Sequence, residues 1–241
     1  MNKLFFILLL QLPATLVCGQ DEMCNIIIDQ RSLFEAPLTG QQYQMEETIG
    51  SQLFMDSPFK GDIILYSGDT VRNKLIAYNG YKDELIWSES GYTSMIKIDK
   101  RQVEKFIFYN TSKGQTIEFR HLRGTTTGYR QIDYFAQVLL DDTLSLYVTH
   151  LIQIIEKAEQ ATGEYVTNID KIQPKPPFYY LGLPGNNFLS IKKPRIRALY
   201  NTFPDHKMEI KALLTKHHET VRNEGDLIRF IKLLNDNGII K

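Results

Sequence analysis

Five histidines, at positions 121, 150, 206, 217 and 218, are the first candidates for acid–base or metal chemistry in this chain of 241 residues. None falls in an H-E-x-x-H motif, and the neighbours His217 and His218 of "HHE" leave a helix on different sides, unlike the i, i+4 pair that chelates one zinc ion. "LLDDT" at 139–143 sets Asp141 beside Asp142. Adjacent strand residues face opposite ways, so these carboxylates make a poor acid and base pair and read as a turn. "GTTTGYRQ" from Gly124 has neither the lysine nor the strand-to-helix context of a phosphate-binding loop, and no serine sits in a G-x-S-x-G elbow. No catalytic, metal or cofactor residue is therefore assigned. The densest basic run is "IKKPRIRALY" at 191–200. Its Lys192, Lys193, Arg195 and Arg197, near Tyr200, are the candidate anion-binding set, suited to a phosphate or an acidic sugar, although a solvated helix start is the favoured reading of the run.

The elements that must position these groups fall into three textures. Residues 20–60 are mixed and show no sustained period, and "EAPLTGQQYQ" reads as irregular chain. From Lys60 onward, short apolar runs such as "DIILY", "KLIAY" and "ELIW" recur with "SGD" and "NGYKD" between them. That spacing is the signature of an antiparallel meander. "DTLSLYVTHLIQIIEKAEQ" holds strand alternation at Leu144, Leu146 and Val148 and helical spacing at Leu151, Ile154, Ile155 and Ala158; its Thr, Tyr and Val content favours one long strand. "TGEYVTNIDKIQPKPP" reads as a break, where Pro174, Pro176 and Pro177 stop any regular element. "FYYLGLPGNNFLSI" then reads as a hairpin about "PGNN". Beyond it the period becomes helical. Pro204 and Asp205 sit at the start of one helix, and a second carries Leu227, Ile228, Ile231, Leu233 and Leu234 and stops at "NDNG".

The N-terminus has the layout of a secretory signal peptide: Lys3, an apolar run from Leu4 to Leu12, then small or aliphatic residues up to Gly19. The run is too short and too interrupted, by Gln11 and Pro13, for a spanning helix of roughly 20 residues, and no comparable stretch follows it. Val17 and Gly19 suit cleavage after Gly19, whereas Thr15, Leu16 and Val17 before Cys18 depart from the lipoprotein pattern at two of three places. Cleavage there would leave Cys24 as the one thiol, so the fold is expected to stand without an internal disulfide. "NTS" at 110–112 is a glycan acceptor only in a eukaryotic secretory pathway. Charge is segregated: residues 20–170 hold 14 basic and 22 acidic side chains, residues 171–241 hold 13 and 6. Such asymmetry marks either a basic docking surface or two halves that attract each other.

The string "GSQLFMDSPFKGDIILYSGDTVRNKLIAYNGYKDELIW", followed by "FYYLGLPGNNFLSIKK" and "LYNTFPDHKMEIKALL…NEGDLIRFIKLLND", resembles a group of uncharacterised secreted proteins of Bacteroidota. The resemblance implies export and a β-rich part closed by a hairpin and a lysine-rich helical pair, and it implies no activity. The expected architecture is α+β: an antiparallel β-meander, as a sandwich or partly open barrel, followed by a hairpin and two C-terminal helices. The expected divisions are 1–19 signal peptide, 20–48 irregular segment, 49–192 β-rich domain and 193–241 helical segment. The functional expectation is an exported cell-envelope protein, periplasmic or extracellular, serving as a non-catalytic binding or scaffolding module for an envelope component or partner protein. A barrel or sandwich holding an apolar ligand or lipid, and a hydrolase of unrecognised type, are the alternatives. Neither a cofactor nor nucleic acid is expected, nor a transmembrane segment once the signal is removed.

Overall fold

The computed structural model describes residues 25–28, 38–88, 94–110, 114–126, 130–162, 165–183 and 185–240. The signal peptide with its cut after Gly19, both cysteines, and Thr111 and Ser112 of "NTS" lie outside the described residues. The strands are β1 (Asn25–Ile28), β2 (Leu38–Gln42), β3 (Thr48–Ile49), β4 (Phe59–Leu65), β5 (Thr70–Asn79), β6 (Glu84–Ser88), β7 (Met95–Ile98), β8 (Val103–Asn110), β9 (Gln115–Thr126) and β10 (Gln131–Leu140). They continue as β11 (Ser145–Thr149), β12 (Ile152–Thr162), β13 (Tyr165–Pro174), β14 (Phe178–Leu183) and β15 (Asn187–Ile191). Twelve of them form one sheet in the order β1-β2-β7-β6-β5-β4-β8-β9-β10-β11-β14-β15. β15 also pairs parallel to β9 at Asn187/Thr125 and Phe188/Thr126, which closes β9, β10, β11, β14 and β15 into a five-stranded barrel. The expected α+β architecture with an antiparallel meander is thus observed, and of the sandwich and the partly open barrel expected it takes the barrel form, closed rather than partly open.

Alternation along each strand decides which face it buries. On the meander side, Phe106, Phe119 and Phe135 are fully buried; Phe106 stacks on Phe119 at 5.0 Å and 7° while Phe135 meets Phe106 edge-on at 5.1 Å. Each such pair contributes about 0.5–1.5 kcal/mol beyond area burial. The opposite faces of β9 and β10 turn into the barrel, where Leu122, Ile132, Ala136, Tyr147, Tyr180 and Phe188 form one cluster. The lumen is filled by side chains, as a small barrel requires.

Outside β11, β14 and β15 lie three helices: α1 (Ile196–Thr202), α2 (Lys207–His217) and α3 (Glu224–Asp236). Leu199, Ile210, Leu213, Leu227, Phe230, Ile231 and Leu234 bury against Leu146, Val148, Leu181 and Ile191 of the sheet. α3 starts at Asn223, whose side chain accepts from the Asp226 N–H at 2.9 Å.

Several elements differ from expectation. α1 is an additional helix, only two turns long, whose one buried residue is Leu199. α2 begins at Lys207, because Pro204 to His206 form a turn in which the His206 N–H donates to the Phe203 carbonyl at 3.2 Å. The single long strand is two: β11 stays in the main sheet, the chain leaves it at His150 and Leu151, and β12 pairs with β13 in a separate sheet that β3 joins in parallel. Residues 165–174, read as part of a break, are therefore strand up to Pro174. The 20–48 segment holds β1, β2 and the start of β3. Within β2, Gly40 of the stretch read as irregular chain marks a close approach: a Cβ there would lie 2.5 Å from an Ile96 methyl group and 2.7 Å from the Lys97 carbonyl oxygen.

Candidate functional site

The four basic residues singled out by sequence lie on the connection from β15 into α1. Lys192, Lys193, Arg195 and Arg197 are exposed, and no carboxylate pairs with any of them among the described residues. Arg195 is the N-cap of α1 without a side-chain cap, so its guanidinium is left to solvent. Arg197 and Tyr200 are three residues apart on one face of α1, and the Lys207 ammonium sits over the Tyr200 ring at 5.7 Å. Lys211 follows Lys207 by one turn. The Lys207 contact with Tyr200 thus joins the start of α2 to the basic run at α1, a basic ridge in which the exposed Asp205 and Glu209 are interspersed and which Lys211 follows.

The histidines are dispersed. His217 ends α2 and His218 is its left-handed C-cap at φ 53°, and His206 pairs locally with Glu209. Among the described residues no cluster of three or more metal-ligating side chains occurs. His150 is partly buried and packs against Phe54 and Phe119, its Nε2 bonded to Gln137 Oε1 at 2.7 Å. His121 is the most elaborate. Its ring contacts the Val103 carbonyl oxygen through Nδ1 at 3.1 Å and the Asp133 carboxylate through Nε2, so each ring nitrogen faces an oxygen. Burial pushes the imidazole pKa down and the Asp133 hydrogen bond pulls it back up. Lys100 bridges Asp133 to Asp83, and Asp83 accepts from the Tyr78 hydroxyl at 2.7 Å and the Phe135 N–H at 3.1 Å. This chain of charges fastens the β5–β6 turn to β10. The His121 side chain is 2% exposed, and no hydroxyl or thiol among the described residues bonds to it, so it presents a base without a nucleophile.

Asp141 and Asp142 do lie in a turn, as read. Asp141 pairs with Arg120, whose guanidinium also bonds Glu118 at 2.8 Å and the Tyr147 hydroxyl at 3.3 Å. Burial pushes the Arg120 pKa down, but the bonds to Asp141 and Glu118 outweigh it and raise it. Arg120 is thereby committed and braces one end of the barrel.

Beside it lies a cleft of about 380 Å³ that sequence reasoning missed. β10 occupies one edge of β9 from Phe119 to Thr125. The other edge is paired to β8 up to Arg120 and to β15 from Thr125, so residues 121–124 have no strand beside them there. The cleft fills that fork. Tyr147, Leu122 and Phe188 line it from the barrel side, and Tyr66, Glu104, Arg123 and Asn186 from around it. Gly124 is needed at the seam: a Cβ would lie 2.0 Å from the Asn186 carbonyl oxygen. Arg123 stacks on the Tyr66 ring at 5.6 Å, and the Tyr66 hydroxyl reaches the His121 carbonyl oxygen at 3.5 Å. Burial raises the Tyr66 pKa while Arg123 lowers it. Positions 66, 104, 123, 147 and 186 come from five elements or turns, and nothing in their local sequence links them.

Comparison with known protein families, curated proteins and solved structures finds no match to this chain.

Proposed function

We propose that the protein is an exported, non-catalytic binding module that holds a phosphate-bearing anionic surface of the cell envelope through the basic ridge on α1 and α2. One observation carries the reading: Lys192, Lys193, Arg195 and Arg197 are exposed without carboxylate partners, although the chain supplies as many acidic as basic groups overall. Cations held this way keep their full attraction for an external anion, worth about 1 kcal/mol each near an anionic membrane surface. A buried helical layer against a closed barrel fixes them on a rigid support. Association in this reading is electrostatic and peripheral; among the described residues no helix is long and apolar enough to cross a membrane.

The test is co-sedimentation with vesicles of phosphatidylglycerol and phosphatidylcholine. The variant carrying Lys192→Gln, Lys193→Gln, Arg195→Gln and Arg197→Gln should lose at least tenfold in affinity and lose most of its salt dependence. Equal binding by both proteins removes the ridge from the reading. Export is checked separately by the mass of the protein recovered from fractionated cells, which should begin at Gln20; retention of the leader in a cytoplasmic fraction would reject it.

A further inference from the structure

The fork cleft has a chemistry unlike that of the ridge. Arg120 is spent on Glu118, Asp141 and Tyr147, which leaves Arg123 as the cation facing the cleft and Glu104 as its anion. Glu104 and the Asn186 side-chain amide have no hydrogen-bond partner among the described residues, and the Tyr147 hydroxyl receives Arg120 but still has its own proton to give. With Lys105, which also pairs with Glu118, the formal charges of Lys105, Arg120, Arg123, Glu104, Glu118 and Asp141 cancel, so the cleft has no surplus cation for an anionic ligand. What it does offer is a mixed set of donors and acceptors spaced around aromatic surface: a carboxylate, a guanidinium edge, an amide, two phenol hydroxyls, and the rings of Tyr66 and Phe188.

We infer that the cleft binds a neutral sugar unit. Each hydroxyl of a sugar both donates and accepts, which a carboxylate next to an amide and a guanidinium satisfies in alternation. The ring carbons of a sugar present C–H groups that settle against an aromatic side chain, and Tyr66 stands 45% exposed at the cleft wall with no buried role to account for its ring. Three features pre-form the site. Arg123 fixes the Tyr66 ring by stacking, the Gly124 and Asn186 contact fixes the β14–β15 turn against β9, and Arg120 holds the Tyr147 hydroxyl at the base. The volume, about 380 Å³, is at the small end of the range for small-molecule sites, roughly 300–1,000 Å³, and so suits one sugar unit of a longer glycan that continues out of the open side.

The test uses the full chain without its leader and four neutral disaccharides as probes: cellobiose, maltose, lactose and N,N′-diacetylchitobiose. Saturation-transfer NMR should show transfer from protein to at least one of them, and the affinity measured by titration should be unchanged between about 50 mM and about 500 mM salt, because no net charge is neutralised. Glu104→Gln and Tyr66→Ala, both at partly exposed positions and checked for native circular dichroism, should each weaken that binding about tenfold. The fourfold glutamine variant of the ridge should bind the sugar as the parent does, which separates this inference from the ridge reading. Absence of transfer to all four probes overturns it, as does binding that both cleft variants leave intact. Binding of inorganic phosphate at the cleft, weakened by Arg123→Gln and by salt, also overturns it in favour of an anion site.

Discussion

At the scale of single residues, His150 is the group with the clearest thermodynamic signature. It is enclosed by Phe54 and Phe119, and burial alone brings its pKa down to about 4 from the usual 6.5. The imidazole is therefore neutral in the folded protein. As pH falls, the unfolded chain takes up the proton first, so stability that is intact above pH 6.5 is lost progressively towards pH 4, by at most about 3 kcal/mol. His150→Gln keeps a side-chain donor for Gln137 but cannot titrate. In urea unfolding at about pH 7 and about pH 4.5, the loss of stability on acidification should be smaller in the variant by about 2 kcal/mol. An identical loss in both proteins would mean that the imidazole protonates in place. The Asp141 carboxylate has the opposite origin but the same direction: its hydrogen bond to Arg120 holds its pKa below the usual value, and that contribution disappears only as pH falls through the lower, folded value.

At the scale of elements, what was legible in the sequence is what local pattern alone determines. β7 and β8 show their buried faces directly, through Ile96 and Ile98 and through Phe106 and Phe108, and α3 shows its own through Leu227, Phe230, Ile231 and Leu234. β12 was ambiguous for a physical reason. A bulge between Ile154 and Glu156 inserts one residue, which converts strand alternation into the three-residue spacing of a helix, while Ile154 and Ile155 both remain exposed. β2 was hidden because its Gly40 serves a tertiary contact, and the fork cleft because its side chains meet only after β15 closes on β9. Asn235 illustrates the same limit: it read as part of a helix stop, yet its amide accepts from the Leu144 N–H at 2.9 Å and donates to the Leu144 carbonyl at 3.1 Å, tying α3 to the turn before β11. Asn235→Asp keeps the shape but turns the donor into an acceptor facing a carbonyl oxygen. The expected cost is about 1–3 kcal/mol, seen as a melting temperature several degrees lower by calorimetry. An unchanged melting temperature would show that the clamp contributes nothing to docking α3.

At the scale of the whole molecule, the segregated charge has two possible consequences, and they make opposite predictions. If the acidic and basic halves attract each other, the ridge cations stabilise the fold, and removing them lowers stability most at low salt. The ion pairs run otherwise. Lys100 and Arg120 are neutralised within the β-rich part, Lys171 pairs with Glu156 inside the β12–β13 sheet, and Arg229 pairs with Glu219 and Asp226 within the helical layer. No ion pair among the described residues joins the chain beyond Lys192 to the meander. Among the described residues none of the four ridge cations has a carboxylate at ion-pair distance, and like charges along one short segment repel through a distance of about 10 Å at 0.1 M salt. The fourfold glutamine variant at Lys192, Lys193, Arg195 and Arg197 should accordingly melt at the same temperature as the parent or slightly above it in about 20 mM salt, with any difference fading as salt is raised to about 500 mM. Melting that is lower than the parent's only at low salt would show that the ridge holds the two halves together, and a surface already engaged in that way would have correspondingly less attraction left for an external anion.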